Sequence, residues 1–295
     1  MRILLTGGSG FIGRNILESE LATDFEIVAP GHEEVDLLDD TSVRAYLRHS
    51  RFDVVIHGAA RAGHRAAGAP ERVLYENSRM FFNLVRNSEL YGRLVILGSG
   101  AIYDSRSYAR RMAEDYFDRS VPLDQHGLSK YIIGKFVEST PDDIIDLRIF
   151  GIFGPYEDYR IRFISNMICK AIFDLPLTMK QNRHFDYLWV KDLIPILRAV
   201  IIADSMPYKS MNLTPDSSWY LRDIAELVLR VSRKSLPIIV ESEGLGSEYT
   251  GANDRLRNFL PSARFTPMEH SIEVLHDWYS SQADHINVTD LKFDR

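Results

Sequence analysis

Four glycines in the first thirteen residues carry the clearest chemical signal of the chain. In Met1-Arg-Ile-Leu-Leu-Thr-Gly-Gly-Ser-Gly-Phe-Ile-Gly13, Gly8, Gly10 and Gly13 fit G-x-G-x-x-G, and Gly7, Gly10 and Gly13 equally fit a three-residue spacing. Glycine lets bare backbone approach a diphosphate, and the N–H groups that open the following helix point at its negative charge. The chemistry this pattern serves is the binding of a dinucleotide.

Glycine patterns also occur in plain surface loops, so the flanking elements must give this one its meaning. Residues 3–5 read as a buried parallel strand, Ile12, Ile16, Leu17 and Leu21 repeat at helical spacing, and residues 25–29 supply the next strand. Together they form a βαβ unit of the expected length. Further strands are predicted over residues 54–57, 94–97 and 144–149, with helices over 73–90 and 126–138 between them. Five βα steps in the first 150 residues predict an α/β fold with a doubly wound parallel sheet.

Beyond Gly151-Ile-Phe-Gly-Pro155 the alternation loosens. Helices are predicted near 163–173, 190–203 and 219–231, the last capped by Ser217 or Ser218, with strands near 177–180 and 211–213 and ordered structure ending over 272–279. The division that follows is a dinucleotide-binding domain over 1–150, with 187–213 packing back onto it. A smaller substrate lobe takes 151–186 and 214–285, and a polar tail 286–295. Such a lobe covers the carboxyl edge of the sheet and makes a cleft for cofactor and substrate together.

Composition narrows the partners. The chain has 35 Lys and Arg against 41 Asp and Glu, a net charge of -6 and no basic block, which disfavours nucleic acid. The single cysteine, Cys169, permits neither an internal disulfide nor a thiolate metal cluster. The nine histidines show no H-x-x-x-H spacing, so no metal site is expected. No apolar run reaches bilayer length, and Met1 runs directly into the first strand without a charged leader, so a cytoplasmic protein with no membrane association is predicted.

The chain resembles the extended short-chain dehydrogenase/reductases of the NAD-dependent epimerase/dehydratase family that act on nucleotide sugars, closest in pattern to the GDP-fucose synthase-like reductases. The marks are Thr6-Gly-Gly-Ser-Gly-Phe-Ile-Gly13, Val55-Ile-His-Gly-Ala-Ala60, Glu76-Asn77, Val95-Ile-Leu-Gly-Ser-Gly-Ala-Ile-Tyr103, Gly127-Leu-Ser-Lys130, Leu147-Arg-Ile-Phe-Gly-Ile-Phe-Gly-Pro155, Val190-Lys-Asp192 and Trp278-Tyr279. The resemblance implies a Rossmann fold and three catalytic positions. Ser99, four residues before Tyr103, would polarise the reacting carbonyl or hydroxyl, and Lys130 would anchor the nicotinamide ribose. The family tyrosine, four residues before the lysine, is replaced here by His126.

An imidazole with an ordinary pKa near 6.5, lowered by the neighbouring cation, would relay a proton near neutral pH, or else only orient substrate or cap the helix. A second Y-x-x-x-K frame, Tyr131 to Lys135, is rotated away from the face of His126 and Lys130, and its tyrosine reads as a packing residue. Gly100-Ala101 stands where the family's dehydratases carry an acidic pair, and Ala101 where the epimerising reductases carry a cysteine. A keto-reductase or a C4 epimerase remains.

For the cofactor, the resemblance implies contacts from Gly7, Gly10, Phe11, Ile12 and Gly13 on the diphosphate side. Asp36 and Leu37 would meet the adenine, while Gly58, Ala59, Ala60, Asn77 and Lys130 would meet the nicotinamide side. Glu33 or Glu34 would reach the ribose of NAD, whereas Arg14 and His32 would meet the extra phosphate of NADP, which tilts the choice slightly to NADP. Arg61, His64, Arg65, Arg160 and Arg162 are candidates to clamp a substrate diphosphate. The expected function is hydride transfer at a keto or hydroxyl carbon, C4, of a nucleoside-diphosphate sugar; the resemblance implies a homodimer joined through helices 73–90 and 126–138, whose apolar faces equally fit ordinary core packing. The rival is an NAD(P)-binding sensor or scaffold that has lost turnover, a reading motivated by His126.

Overall fold

The computed structural model describes residues 1–61 and 72–291. Strand β1 (Arg2–Thr6) leads through the glycine turn into α1 (Phe11–Leu17) and α2 (Leu21–Asp24), then β2 (Glu26–Val28), α3 (Asp40–His49) and β3 (Phe52–His57). Helix α4 (Val73–Val85), β4 (Tyr91–Ser99), α5 (Gln125–Ser139) and β5 (Ile144–Ile149) follow. The chain then leaves the sheet through β6 (Gly151–Phe153), α6 (Phe163–Ile172), β7 (Leu177–Asn182), β8 (His184–Phe185) and β9 (Tyr187–Trp189). It returns by α7 (Val190–Ile202) and β10 (Ser210–Leu213).

The six-stranded sheet runs β10-β5-β4-β3-β1-β2, every pairing parallel. The order reverses between β1 and β3, the topological switch at which doubly wound sheets bind ligands. Both faces are covered, which explains why its central strands read as unbroken apolar runs. Val43, Leu47, Phe81, Leu84, Ile133 and Val137 of α3, α4 and α5 fill one face. Ile16 of α1, Leu21 of α2 and Leu193, Leu197 and Val200 of α7 fill the other.

The second core belongs to the lobe. Helix α6 packs on α8 (Leu221–Ser232) and α10 (Met268–Ser280) around Ile168, Ile224, Val228, Ile272 and Leu275. Between α8 and α10 lie β12 (Ile238–Leu245), paired with β7, and α9 (Asp254–Phe259), whose Leu256 goes back to the sheet core. None of the described helices is long and apolar enough to cross a membrane.

Several expected elements are revised. The helix predicted over 73–90 ends at Val85 and finishes in a short 3-10 turn, Ser88–Leu90. Trp219 and Tyr220 form β11 (Trp219–Tyr220), antiparallel to β8, so the helix starts at Leu221 and neither Ser217 nor Ser218 caps it. The segment expected as a polar tail is anchored as far as α11 (Val288–Leu291), because Ile286 and Leu291 are buried in the lobe core.

One buried cation ties the sheet to α5. Arg148 on β5 is fully buried, donates to Glu138 at 3.0 Å and Asp146 at 3.1 Å, and reaches the Tyr103 hydroxyl at 3.1 Å. Tyr103 in turn donates to Asn212 of β10 at 2.7 Å. Buried ions are costly to strand without their partners. Arg148→Leu is therefore expected to lower unfolding free energy by about 3–5 kcal/mol in urea titrations, and adding Asp146→Asn to recover part of that loss.

Candidate active site

The glycine turn is built by close approach of backbone to backbone. Gly7 has φ +76°, and a Cβ there would stand 2.7 Å from the Ala59 nitrogen and 2.8 Å from the Gly58 carbonyl carbon. At Gly13 a Cβ would fall 2.2 Å from the Gly7 oxygen, and at Gly8 one would meet Ala29 at 2.6 Å. The Gly10 N–H donates to the Gly7 carbonyl at 3.0 Å, while the side of Gly10 away from that carbonyl stays open. The result is a cradle free of side chains at the carboxyl end of β1, which fits a dinucleotide diphosphate.

The turn after β3 is locked beside it. The Gly58 N–H donates to the Thr6 carbonyl at 3.1 Å and the Ala59 N–H to the Thr6 hydroxyl at 3.2 Å. The Thr6 hydroxyl and Nδ1 of His57 share a hydrogen bond of 2.8 Å, and burial, helped by Lys130, pushes the His57 pKa down to about 3, so this ring is a neutral packing group. Ala60 is exposed at the rim. Asn77 spends its amide on the backbone of Arg61, accepting from N at 2.7 Å and donating to O at 3.2 Å, so it shapes the turn.

On the adenosine side the expected residues divide. Asp36 is exposed and accepts from the Leu38 N–H at 2.9 Å. The Leu37 side chain is buried in the core, so its approach to an adenine is limited to backbone. His32 lies exposed in the loop after β2, where Glu34 folds back to accept from the Gly31 N–H at 2.8 Å. The Arg14 guanidinium stacks on the Tyr156 ring at 4.5 Å. Phe11 and Ile12 are half-buried at the start of α1, and Ile12 packs on the sheet core.

Ser99 ends β4 and accepts from the Ala101 N–H at 3.1 Å. A Cβ at Gly127 would stand 2.7 Å from the Ala101 oxygen, so the first turn of α5 lies directly against the turn after Ser99. Asp124 caps that helix, accepting from the Gly127 N–H at 2.8 Å. Lys130, one turn on from His126, is buried without a hydrogen bond among the described residues. Burial lowers its pKa and the Asp146 carboxylate opposes that shift.

His126 is half-buried, and its Nδ1 has no partner. Burial first, then the charges of Lys130 and Arg162, push its pKa down to about 4. An imidazole so far below neutrality is almost wholly uncharged at pH 7, so the ring has one N–H donor and one acceptor nitrogen and no imidazolium proton for the expected relay.

The competing frame points elsewhere. Tyr131 bonds Asp118, which also takes Lys135 at 2.7 Å on the outer surface. Of the arginines expected on a substrate diphosphate, Arg160 is folded onto Asp158 through bonds of 2.8 Å, and Arg61 pairs with Glu76 at 3.0 Å. Arg162, exposed at the start of α6, acts electrostatically on His126 from the lobe side. His64 and Arg65 lie outside the described residues.

Sequence reasoning missed three groups. Asn15 donates to the Phe11 and Pro155 carbonyls at 2.9 Å each, tying α1 to the loop after β6. Asp186 is buried, accepts from Thr214 and from the Gly251 N–H at 2.8 Å, and is pushed up to about 7 by burial. Tyr249 reaches Gly100 from the lobe: its hydroxyl lies 2.9 Å from where a Gly100 Cβ would stand. All three depend on contacts between distant segments, which no local pattern signals.

Residues 3–213 match the family described as NAD dependent epimerase/dehydratase. The chain belongs to that family. Over 107 residues it is 36% identical to GDP-L-colitose synthase of Yersinia pseudotuberculosis, a match covering 35% of each chain. The chain thus spans about a third of the length of that curated relative. Among solved structures, a GDP-L-fucose synthetase from Naegleria fowleri bound to NADP superposes with TM-score 0.81 at 15% identity, over 96% of this chain and 95% of that one. The UDP-glucuronic acid 4-epimerase of Bacillus cereus, in complex with UDP-glucuronic acid and NAD, also gives TM-score 0.81, at 19% identity over 96% and 99%. At these identities the likeness establishes the Rossmann fold of the family.

Two measurements check this site. Gly7→Ala should raise the Kd for NADPH about 100-fold in fluorescence titrations, because the new methyl collides with backbone that cannot yield. For His126, imidazole NMR should find a neutral ring at pH 6. The stability tied to that neutrality is fully present above the unfolded value of 6.5 and is lost as pH falls towards about 4. His126→Gln should remove that part of the acid slope.

Proposed function

We propose that this epimerase/dehydratase family member is an NAD(P)-dependent oxidoreductase or epimerase of a nucleoside-diphosphate sugar, acting at a keto or hydroxyl carbon, C4. The observation that supports the reading most is the approach of Gly127 to the Ala101 carbonyl, which lays the first turn of α5 against the turn that follows Ser99. Names of relatives with GDP-linked products favour a GDP-sugar. The absence of a basic block weighs against nucleic acid as the ligand of this cleft.

The cradle from Gly7 to Gly13, the turn Gly58 to Ala60 and Lys130 would hold the cofactor. Bound there, a nicotinamide dinucleotide supplies or accepts hydride. Lys130 holds ribose hydroxyls, and its charge favours negative character on a neighbouring oxygen. Ser99 donates its hydroxyl hydrogen to the substrate oxygen, stabilising the charge that grows there. Neutral His126 orients a sugar hydroxyl, and Arg162 meets the diphosphate from the lobe. Arg14 and His32 tilt cofactor choice towards NADP through the extra phosphate.

The test is a panel of GDP- and dTDP-linked 4-keto-6-deoxyhexoses with NADPH and NADH, followed by cofactor absorbance and product chromatography. Turnover with at least one member is expected. Ser99→Ala should lower kcat by about 100-fold or more with NADPH affinity retained, and Lys130→Met should weaken cofactor binding. Tight NADPH binding without turnover on any sugar would instead favour a sensor.

A further inference from the structure

We propose that Asn83, with Arg79 beside it, is the positioning residue for the adenine end of the cofactor: from α4 the two side chains hold the Leu37 and Leu38 carbonyls, so that residues 36–38 present one fixed edge to the base. This rests on the dinucleotide reading above and concerns how strictly the site selects its base, which that reading leaves open.

The topology puts this loop where the adenosine has to lie. Strand β2 stands beside β1 at the edge of the sheet, and residues 36–38 belong to the connection from its carboxyl end to α3. A dinucleotide whose diphosphate sits on the turn after β1 runs one nucleoside over that connection. Within the loop, the Asp36 N–H donates to Ser42 Oγ at 3.0 Å, and Asp36 Oδ1 accepts from the Leu38 N–H at 2.9 Å. Both carbonyls that follow Asp36 are satisfied from α4.

Asn83 is fully buried, and its Nδ2 donates to the Leu37 carbonyl at 2.9 Å. One turn earlier, Arg79 Nε donates to the Leu38 carbonyl at 3.1 Å. The spacing of four sets both side chains on one face of the helix. The Leu37 side chain is sunk in the core, so its backbone is pinned by an apolar anchor and by an amide together. Asn87, a further turn on, bonds Asp40 at 3.2 Å at the start of α3 and the Asn83 carbonyl at 2.9 Å, outside the 36–38 loop.

Asn83 is not there for packing. Its Oδ1 is buried without a partner, and an unpaired acceptor in a dry core destabilises the fold. The position is held for its donor. The same helix also fixes the turn after β3, where Asn77 bonds the Arg61 N–H at 2.7 Å and the Arg61 carbonyl at 3.2 Å. One rigid element thus reaches the loops on both sides of the glycine cradle.

Adenine carries a 6-amino group, which donates, where hypoxanthine carries a carbonyl, which accepts. A carboxylate acceptor kept in place favours the first and is opposed by the second. A loop free to move would follow either base.

The test uses the full chain and follows binding of NADPH, of nicotinamide hypoxanthine dinucleotide phosphate in its reduced form, and of reduced nicotinamide mononucleotide, which has no purine. NADH and its hypoxanthine counterpart are titrated in parallel. The wild-type protein should bind the adenine form about tenfold more tightly than the hypoxanthine form. Asn83→Leu should raise the Kd of the adenine form about tenfold while leaving those of the hypoxanthine form and the mononucleotide unchanged, so that discrimination disappears. Arg79→Met should reduce discrimination about threefold. Asn87→Leu should lower the thermal midpoint and keep discrimination, which is how Asn83→Leu would also behave if Asn83 served stability alone. Equal rises in Kd for both dinucleotides in Asn83→Leu, or a wild-type protein indifferent to the base, overturns the assignment and leaves the hydride-transfer reading intact. Should Asn83→Leu fail to fold, unchanged discrimination in Arg79→Met overturns it. A wild-type protein that binds neither NADPH nor NADH overturns both.

Discussion

A buried carboxylate, Asp146, stands on β5 between two cations and joins the sheet to α5. Arg148 bonds it at 3.1 Å on the same strand, and Lys130 feels its charge from α5. Space for it comes from the next strand: a Cβ at Gly98 would fall 1.9 Å from its Oδ1. Three ionised groups in a dry interior cost several kcal/mol each to desolvate. They persist together because each offsets the others, and Gly98, one residue before Ser99, gives the carboxylate its room.

The chemistry facing that charged seat comes from the opposite core. The lobe brings Arg162 towards His126 and inserts Tyr249, framed by Phe150, Phe185 and Tyr108, against Gly100. Burial and the charges of Lys130 and Arg162 keep His126 neutral, and the Tyr249 hydroxyl from another segment lies beside Gly100.

The first unit was legible because it is local: an apolar strand, a glycine turn and a helix stripe all lie within residues 1–28. Ser99 and Lys130 were singled out because the resemblance fixes their spacing from flanking motifs. Helix α3 was not assigned, since Val43 and Leu47 are its only buried apolar residues and its start depends on the Asp39 side chain accepting from the Thr41 N–H. Trp219 and Tyr220 looked helical because apolar residues run on without a break there. Their extended form comes from pairing with Phe185 and His184, more than thirty positions away. Leu37 was misjudged for the opposite reason, as a loop residue whose side chain turns inward. Tyr249 and Asp186 carry no signature before the chain has folded.

Strand β10 completes the sheet only after the polypeptide has already built half of the lobe, and α9 comes back to the sheet core before α10 finishes it. The two cores are thus laced together by repeated crossings of one backbone. No single cut yields a self-sufficient half, so a foreign lobe cannot be grafted at one seam. In this architecture the lining between the two cores is reshaped by point changes in the crossing segments, such as the one that carries Tyr249 to Gly100.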